Sequence, residues 1–164
     1  MDKKEIFITA VKENEGFIYK IASVYTNSIE DRNDLVQEII YQLWKSFDTF
    51  KQKSGVGTWI YRVALNVSLY HLKQSKKRVS TVPIDGHLLS RYGFDESGDE
   101  ERWSLFKQQI DNLNELDKGI VMLYLDGKSY DEIAEIIGIS KSNAGTKLSR
   151  IKEKLKSQVT KNLS

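Results

Sequence analysis

The side chains best suited to chemistry in this 164-residue chain lie near its carboxyl end, where hydroxyl, amide and cationic groups alternate. Such groups hydrogen-bond the edges of bases and the oxygens of phosphates. They belong to Ser142, Asn143, Thr146, Lys147, Ser149, Arg150 and Lys152. Their types predict contact with duplex DNA, provided that one helix presents them together.

The apolar residues of the same segment supply that helix. Ala144, Leu148, Ile151 and Leu155 recur at intervals of four, three and four, which predicts a helix with this side inward. Ser140 is suited to cap it. A shorter helix precedes it, with Ser129 and Glu132 forming a capping box and Gly138 ending it in the left-handed conformation. The pattern predicts a helix-turn-helix; an amphipathic hairpin with a solvated lysine face is the alternative.

A second basic segment runs from Phe50 to Arg78 and contains no acidic residue. Aromatic and cationic side chains alternate in it: Phe50, Trp59, Tyr61 and Tyr70 with Lys51, Lys53, Arg62, Lys73, Lys76, Lys77 and Arg78. Aromatic faces stack on unpaired bases, at about 1–3 kcal/mol per base, while cations hold the backbone. The segment therefore predicts binding of single-stranded DNA. The alternative is that Trp59 and Tyr70 are core residues.

Charge is segregated along the chain although the net charge is only +2. Successive blocks 1–50, 51–80, 81–140 and 141–164 carry −3, +7, −8 and +6. Two separate cationic segments predict two contacts with polyphosphate, with acidic surface left for other partners.

Between residues 31 and 47, a predicted helix carries polar side chains three or four residues apart. These are Asp34, Gln37, Glu38 and Gln42, while Leu35, Ile39, Leu43 and Trp44 are expected to face inward. Such a polar stripe is usually only a solvated surface, and the Asp34 and Glu38 pair is not evidence of acid-base chemistry without a pocket around it.

Helical periodicity dominates the whole chain, so we expect an all-α fold of two small domains. The first, residues 1–78, is expected to be a four-helix bundle, with two helices divided near residues 14–16 and further helices over about 31–47 and 58–76. Residues 79–98 hold the only proline and predict a flexible linker. The second domain, residues 99–164, ends in the helix-turn-helix.

Composition excludes several classes of function. Cysteine is absent, and His71 and His87 are not at metal-ligand spacing, so we expect no metal and no cofactor. No nucleophile with a histidine partner is visible, which argues against an enzyme and against a small-molecule substrate. The sequence shows no membrane span and no secretion signal, so we expect a cytoplasmic protein without membrane insertion.

Three ordered segments resemble the extracytoplasmic-function (group IV) sigma factors of bacterial RNA polymerase, in the sigma-70 family. They are DLVQEIIYQLWKSFDTF, similar to the core-binding helix of region 2, GTWIYRVALNVSLYHLKQSKKR, similar to its promoter-melting and minus-ten element, and LNELDKGIVMLYLDGKSYDEIAEIIGIS, similar to region 4. The resemblance implies a factor that directs core polymerase to specific promoters and opens the strands. It also implies promoter DNA, duplex and single-stranded, and an anti-sigma factor as partners.

The resemblance also assigns residues. Asp34, Gln37, Glu38 and Gln42 match the helix that binds the polymerase clamp. The residues implied at the minus-ten element are Phe50, Lys51, Trp59, Tyr61, Arg62, Asn66 and Lys73, with the loop 51–57 as a pocket for a flipped base. Those implied at the minus-thirty-five element are Ser142, Asn143, Gly145, Thr146, Lys147, Ser149, Arg150 and Lys152. Position 145 is often basic in the family, so Gly145 leaves the base preference open.

Two other functions fit parts of the sequence. A stand-alone helix-turn-helix regulator that dimerises on a palindrome would explain the carboxyl-terminal domain, but not the acid-free aromatic segment. A helical adaptor that binds only proteins is the other, and tight binding of promoter DNA by the reconstituted polymerase, but not by core enzyme alone, would exclude it.

Overall fold

The computed structural model describes residues 2–50, 55–77 and 99–163, and the side chains within them except at 76, 77, 99, 100 and 159–163. All regular secondary structure in these ranges is helical, which confirms the all-α class. The chain divides into two compact units, Met1–Ile84 and Asp85–Ser164. The predicted linker, residues 79–98, lies outside the described residues, so the domain boundaries stay predictions.

The first unit packs three helices against one another: α1 (Lys3–Val24), α2 (Ile29–Ser46) and α3 (Val56–Lys77). A single 3₁₀ turn, Phe47–Thr49, follows α2. Asp2 accepts from the Glu5 amide at 2.8 Å and caps α1, and Ser28 accepts from the Asp31 amide at 3.0 Å and caps α2. The largest fully buried apolar side chains of this unit are Ile18, Ile21, Leu35, Ile39, Leu43 and Ile60.

The predicted break near residues 14–16 is wrong, because α1 runs through it without interruption. The Asn14 amide donates to the Ala10 carbonyl at 2.8 Å within the helix, instead of opening a turn. Gly16 costs a helix only about 1 kcal/mol relative to alanine. The buried side of α1 continues from Phe7 to Ile21, and packing along that length outweighs the local preference. Over residues 2–50 and 55–77 the first unit therefore contains three packed α-helices, where four were expected.

The second unit contains α4 (Asp99–Ile110), α5 (Glu115–Leu125), α6 (Tyr130–Ile137) and α7 (Lys141–Leu163). Asn114 caps α5 by accepting from the Asp117 amide at 2.8 Å. The fully buried apolar side chains at its centre are Ile110, Ile120, Leu123, Ile133, Ala144 and Leu148. This core fixes α7 along one side only, so the opposite side of α7 faces away from the unit.

Candidate nucleic-acid interfaces

The helix-turn-helix has the local geometry that its sequence predicts. Ser129 Oγ accepts from the Glu132 amide, and Glu132 Oε1 accepts from the Ser129 amide, both at 3.1 Å, which completes the capping box. Gly138 has φ of 86°, and its amide donates to the Ala134 carbonyl at 2.8 Å. Ser140 then accepts from the Asn143 amide at 3.1 Å and begins α7. The turn is thus set by capping and by one left-handed glycine.

Small and apolar residues hold α6 against α7. Ala134 and Ala144 are both buried, as expected where two helices approach closely, and Ile133 and Leu148 are almost wholly enclosed. Ile151 is buried and Leu155 half-buried. The predicted inward side of α7 is confirmed. An amphipathic hairpin would bury the same side, so this packing by itself does not separate the two interpretations.

The outward side of α7 carries most of the residues predicted to bind DNA. Ser142, Asn143, Thr146, Ser149, Arg150 and Lys152 are exposed, and Gly145 and Lys147 are half-buried. The Thr146 hydroxyl donates to the Ser142 carbonyl at 3.0 Å, so its oxygen lone pairs stay available to a donor on DNA. One helix therefore presents hydroxyl, amide and guanidinium groups together.

Lys152 also has partners inside the unit. Its Nζ lies 4.4 Å from the centre of the Tyr124 ring, 5.9 Å from that of Tyr130 and 3.4 Å from the Tyr130 hydroxyl. Hydrogen bonding with the Tyr124 side chain first, and with that of Tyr130 second, raises the pKa of Lys152 because it favours the charged form. Lys152 thereby links α7 to α5 and α6, and its contact with DNA stays a prediction.

Those residues predicted to bind the minus-ten element that lie on α3 fall into two groups. Asn66 and Lys73 are exposed and Arg62 is half-buried, and spacings of four and seven residues place them on one side of the helix. Trp59 and Tyr61 are only 9% and 6% exposed. Tyr61 packs on Phe17 with ring centres 4.2 Å apart. This burial argues against direct contact between Tyr61 and a base, which stays a prediction.

The Trp59 ring packs against the buried side of the Phe50 ring. The two rings stack with centres 4.7 Å apart and planes 22° from parallel, and Phe47 stacks on Trp59 at 5.9 Å. Phe50 is half-buried and ends this series of rings. The core alternative considered for Trp59 fits its burial, whereas for Tyr70, which is 65% exposed, it is wrong. Lys51 and the neighbouring loop residues 52–54 lie outside the described residues.

The polar stripe of α2 is also accessible. Asp34, Gln37 and Glu38 are exposed, and Gln42 is half-buried with its amide donating to Glu38 Oε1 at 3.0 Å. Trp44, expected inward, is instead 40% exposed; its ring meets the Phe7 ring edge-on at 5.0 Å, and Lys3 Nζ lies 4.6 Å from its centre. The ring is therefore only partly enclosed by α1.

Sequence reasoning missed Tyr41, which is 55% exposed on the same helix. It lies four residues after Gln37 and three after Glu38, so it shares their side of α2. The spacing alone could have placed it there, but an aromatic residue in an apolar run reads as core. Only the packing of Leu35, Ile39 and Leu43 fixes the orientation of the helix.

A groove of about 250 Å³ separates α2 from α3 within the first unit. Asp34 and Glu38 line it from α2, and α3 contributes Val67, Tyr70, His71, Gln74 and Ser75.

Within the described ranges, no group of three histidine, aspartate or glutamate residues could hold a metal ion. None of the helices in these ranges is long and apolar enough to cross a membrane.

Two family models match the chain, one for each unit. Residues 10–78 match Sigma-70 region 2, and residues 104–155 match Sigma-70, region 4. The two matches occur in order and together cover well over half of the chain. The chain belongs to the sigma-70 family. A stand-alone helix-turn-helix regulator is excluded by the first match, since that class has no region 2.

Similarity to individual sigma factors extends over most of the chain. It is 24% identical over 159 residues to RNA polymerase sigma factor SigV of Bacillus subtilis (strain 168), covering 96% of this chain and 93% of that one. It is 26% identical over 157 residues to the ECF RNA polymerase sigma-E factor of Escherichia coli (strain K12), covering 86% and 81%. This sigma factor is of the extracytoplasmic-function type, a non-enzymatic initiation factor that directs promoter recognition.

Two solved structures share the fold. CnrH, in complex with the cytosolic domain of CnrY, aligns with a TM-score of 0.73 at 16% identity, covering 96% of this chain and 90% of CnrH. The sigma factor RpoE of Bartonella quintana, in complex with the anti-sigma factor NepR, aligns with a TM-score of 0.67 at 18% identity, covering 96% of each chain.

Proposed function

We propose that three surfaces of this sigma factor have separate roles in transcription initiation. The exposed side of α2 binds core polymerase, the α3 side with Phe50 holds minus-ten bases, and α7 reads the minus-thirty-five duplex. The observation that supports this most is the outward side of α7, which a capped helix-turn-helix holds away from its own core. Acting with polymerase on the chromosome, the protein works in the cytoplasm.

On α2, the polymerase contact consists of Asp34, Gln37, Glu38 and Gln42, with Tyr41 between them. Aromatic side chains dominate the energetics of protein interfaces, because they bury large area at low entropic cost. The flanking carboxylates select a basic partner surface and speed association. The exposure of Tyr41 and of the carboxylates supports this contact.

At the minus-ten element, Phe50 and Asn66 contact unpaired bases, and Lys51, Arg62 and Lys73 hold the backbone. Trp59 supports Phe50 from behind, and Tyr61 anchors α3 on Phe17. Extruding a base costs a few kcal/mol, which stacking and base-edge hydrogen bonds offset. The acid-free composition of α3 supports this assignment, since no carboxylate on the helix repels phosphate.

At the minus-thirty-five element, the first turns of α7 lie in the major groove. Ser142, Asn143, Thr146 and Arg150 contact base edges, while Lys147 and Ser149 contact phosphates. Gly145 has no side chain, so the backbone of α7 can approach the DNA closely there. Lys152 stays in contact with Tyr124 and Tyr130 and neutralises a phosphate. The exposure of the base-contacting side chains and of Ser149 and Lys152 supports the arrangement.

A protein inhibitor is the remaining partner that we propose. CnrH is described in complex with the cytosolic domain of CnrY, and RpoE with the anti-sigma factor NepR. Both share the fold of this chain over 96% of its length. An anti-sigma factor that covers the DNA-binding or polymerase-binding surface would hold the present protein inactive.

Run-off transcription tests the proposed function. Purified protein, bacterial core polymerase and a library of genomic fragments are combined, and transcripts are mapped with and without the sigma factor. We expect new start sites that share two upstream elements. An unchanged transcript profile, together with failure to associate with core polymerase in gel filtration, would contradict the proposal.

A further inference from the structure

Tyr70 is the most exposed of the large apolar and aromatic side chains in the described part of the chain, at 65%. Neighbouring residues on the other side of α3, Ala64 and Ser68, are wholly buried, so the orientation of the helix is fixed by its core. Tyr70 therefore points outward because of packing and does not belong to the core. None of the minus-ten contacts assigned above includes it.

Its position continues the row of DNA-contacting residues on α3. Asn66 lies four residues before Tyr70 and Lys73 three residues after, which places all three on one side of the helix. Asn66 is about 6 Å back along the axis. An aromatic ring between an amide and an ammonium group is the composition of a single-strand binding surface, in which rings stack on bases and cations hold phosphates.

The groove beside Tyr70 determines which part of a nucleotide can approach. Asp34 and Glu38 line the groove on the α2 side, together with His71 and Gln74 from α3. Two carboxylates repel phosphate, so the DNA backbone is favoured on the Lys73 side of the ring. The group that contacts the Tyr70 ring is then the neutral face of a base and not a phosphate.

We propose that Tyr70 is a stacking contact for an unpaired base of the promoter strand held by α3, one helical turn beyond the base that Asn66 contacts. The inference rests on the proposed function of α3 and adds one base to its binding site. Because every base presents a π face, the contact strengthens binding of the open strand with little preference for sequence.

Binding of a fluorescent fork-junction promoter fragment by the reconstituted polymerase holoenzyme tests this contact. Tyr70→Ala is expected to weaken binding by about 5- to 150-fold, the range that corresponds to one lost stacking contact. Tyr70→Phe is expected to bind like the parent, because the ring is kept. Tyr70→Leu is expected to lose nearly as much as alanine. Tyr19→Ala, which removes a 44%-exposed tyrosine from α1, is the matched control and is expected to change little.

Association of each variant with core polymerase and its thermal unfolding are measured in parallel. Equal loss of core association and DNA binding in Tyr70→Ala would overturn the proposal and assign Tyr70 to the polymerase interface. Equal loss in Tyr70→Phe and Tyr70→Ala would overturn stacking in favour of a hydroxyl contact. Unchanged binding in all three variants would also overturn it. If the parent holoenzyme fails to bind the fork, the proposed function itself fails, a result distinct from any of these.

Discussion

Two glycines seven residues apart in the helix-turn-helix have opposite physical roles. Gly138 has φ of 86°, a conformation that costs other residues about 1–2 kcal/mol. Gly145 lies within α7, where a Cβ atom would sit 3.7 Å from the Tyr130 ring, an ordinary van der Waals contact. One glycine is required by the turn and the other is tolerated by the helix.

Alanine substitutions at these two positions should therefore change stability in opposite directions. Gly138→Ala is expected to lower the free energy of unfolding by about 1–2 kcal/mol, because it forces a Cβ into the left-handed region. Gly145→Ala is expected to raise it by up to about 1 kcal/mol, because alanine loses less backbone entropy in a helix. Urea unfolding followed by circular dichroism measures both. Effects of the same sign would contradict the assigned roles.

The aromatic residues around Phe50 show how packing between elements can position a side chain that we propose to bind DNA. Phe7, Phe47, Trp59 and Phe50 form successive ring contacts that connect α1, the 3₁₀ turn and α3. Phe50 has no regular helix of its own to hold it, so the Trp59 ring restricts its position.

Trp59→Ala is expected to cost about 3–5 kcal/mol of stability, the usual cost of removing a large buried aromatic side chain. Trp59→Phe keeps part of the stack and should cost less. In the phenylalanine variant we expect weaker binding of fork-junction DNA with unchanged association with core polymerase, since Phe50 loses part of its support. Equal fork binding by Trp59→Phe and the parent protein would show that Phe50 does not depend on Trp59.

The capping box of α6 couples the stability of the second unit to pH. Hydrogen bonds from the Ser129 amide and hydroxyl, and then the nearby Lys128 ammonium, lower the pKa of Glu132 below its usual value of 4.5. A lowered pKa in the folded state means that the contribution of Glu132 is present above pH 4.5 and is lost as pH falls through the folded value.

The melting temperature should therefore fall on acidification partly through Glu132. Glu132→Gln is the matched variant, because glutamine can still accept from the Ser129 amide but does not titrate. We expect the parent protein to lose more stability than the variant between neutral pH and about pH 3, where other carboxylates titrate equally in both. Parallel melting curves over that range would show that the Glu132 charge contributes nothing.

At the scale of the whole molecule, the two units expose different surfaces, to which the proposed function gives different partners. The first exposes a polar and aromatic side of α2 and a cationic side of α3, and the second exposes α7. In the proposed function core polymerase holds both units near one promoter, so each DNA contact can be weak by itself and still act through effective concentration.

Paired substitutions should separate these surfaces. Arg150→Ala is expected to weaken binding of upstream duplex by the holoenzyme by about 1–3 kcal/mol if it contacts a base, and to leave core association intact. Tyr41→Ala is expected to do the reverse, weakening core association by more than about 1 kcal/mol. Core association is measured by fluorescence anisotropy and duplex binding by mobility shift. Loss of both core association and duplex binding in either variant would contradict the assignment of these two functions to separate surfaces.

Local signals predicted the helix ends of the second unit accurately, because these ends depend on neighbouring residues. Asn114, Ser129 and Ser140 cap their helices through bonds to amides three residues ahead, and Gly138 turns the chain by its own conformation. Each of these interactions spans only a few residues and is legible in the sequence. The break expected in α1 failed for the opposite reason, since contacts with α2 and α3 decide whether that helix continues.

The sequence by itself determined the all-helical class, the capped helix-turn-helix and the order of segments that resemble regions 2 and 4, because these depend on local bonding and periodicity. Only the tertiary structure decided which aromatic side chains are exposed and can contact a partner. Trp59 and Tyr61 are enclosed by Phe50 and Phe17, whereas Tyr41 and Tyr70 are exposed. Aromatic side chains serve equally well in a core and on a binding surface, and the packing of distant helices selects between the two.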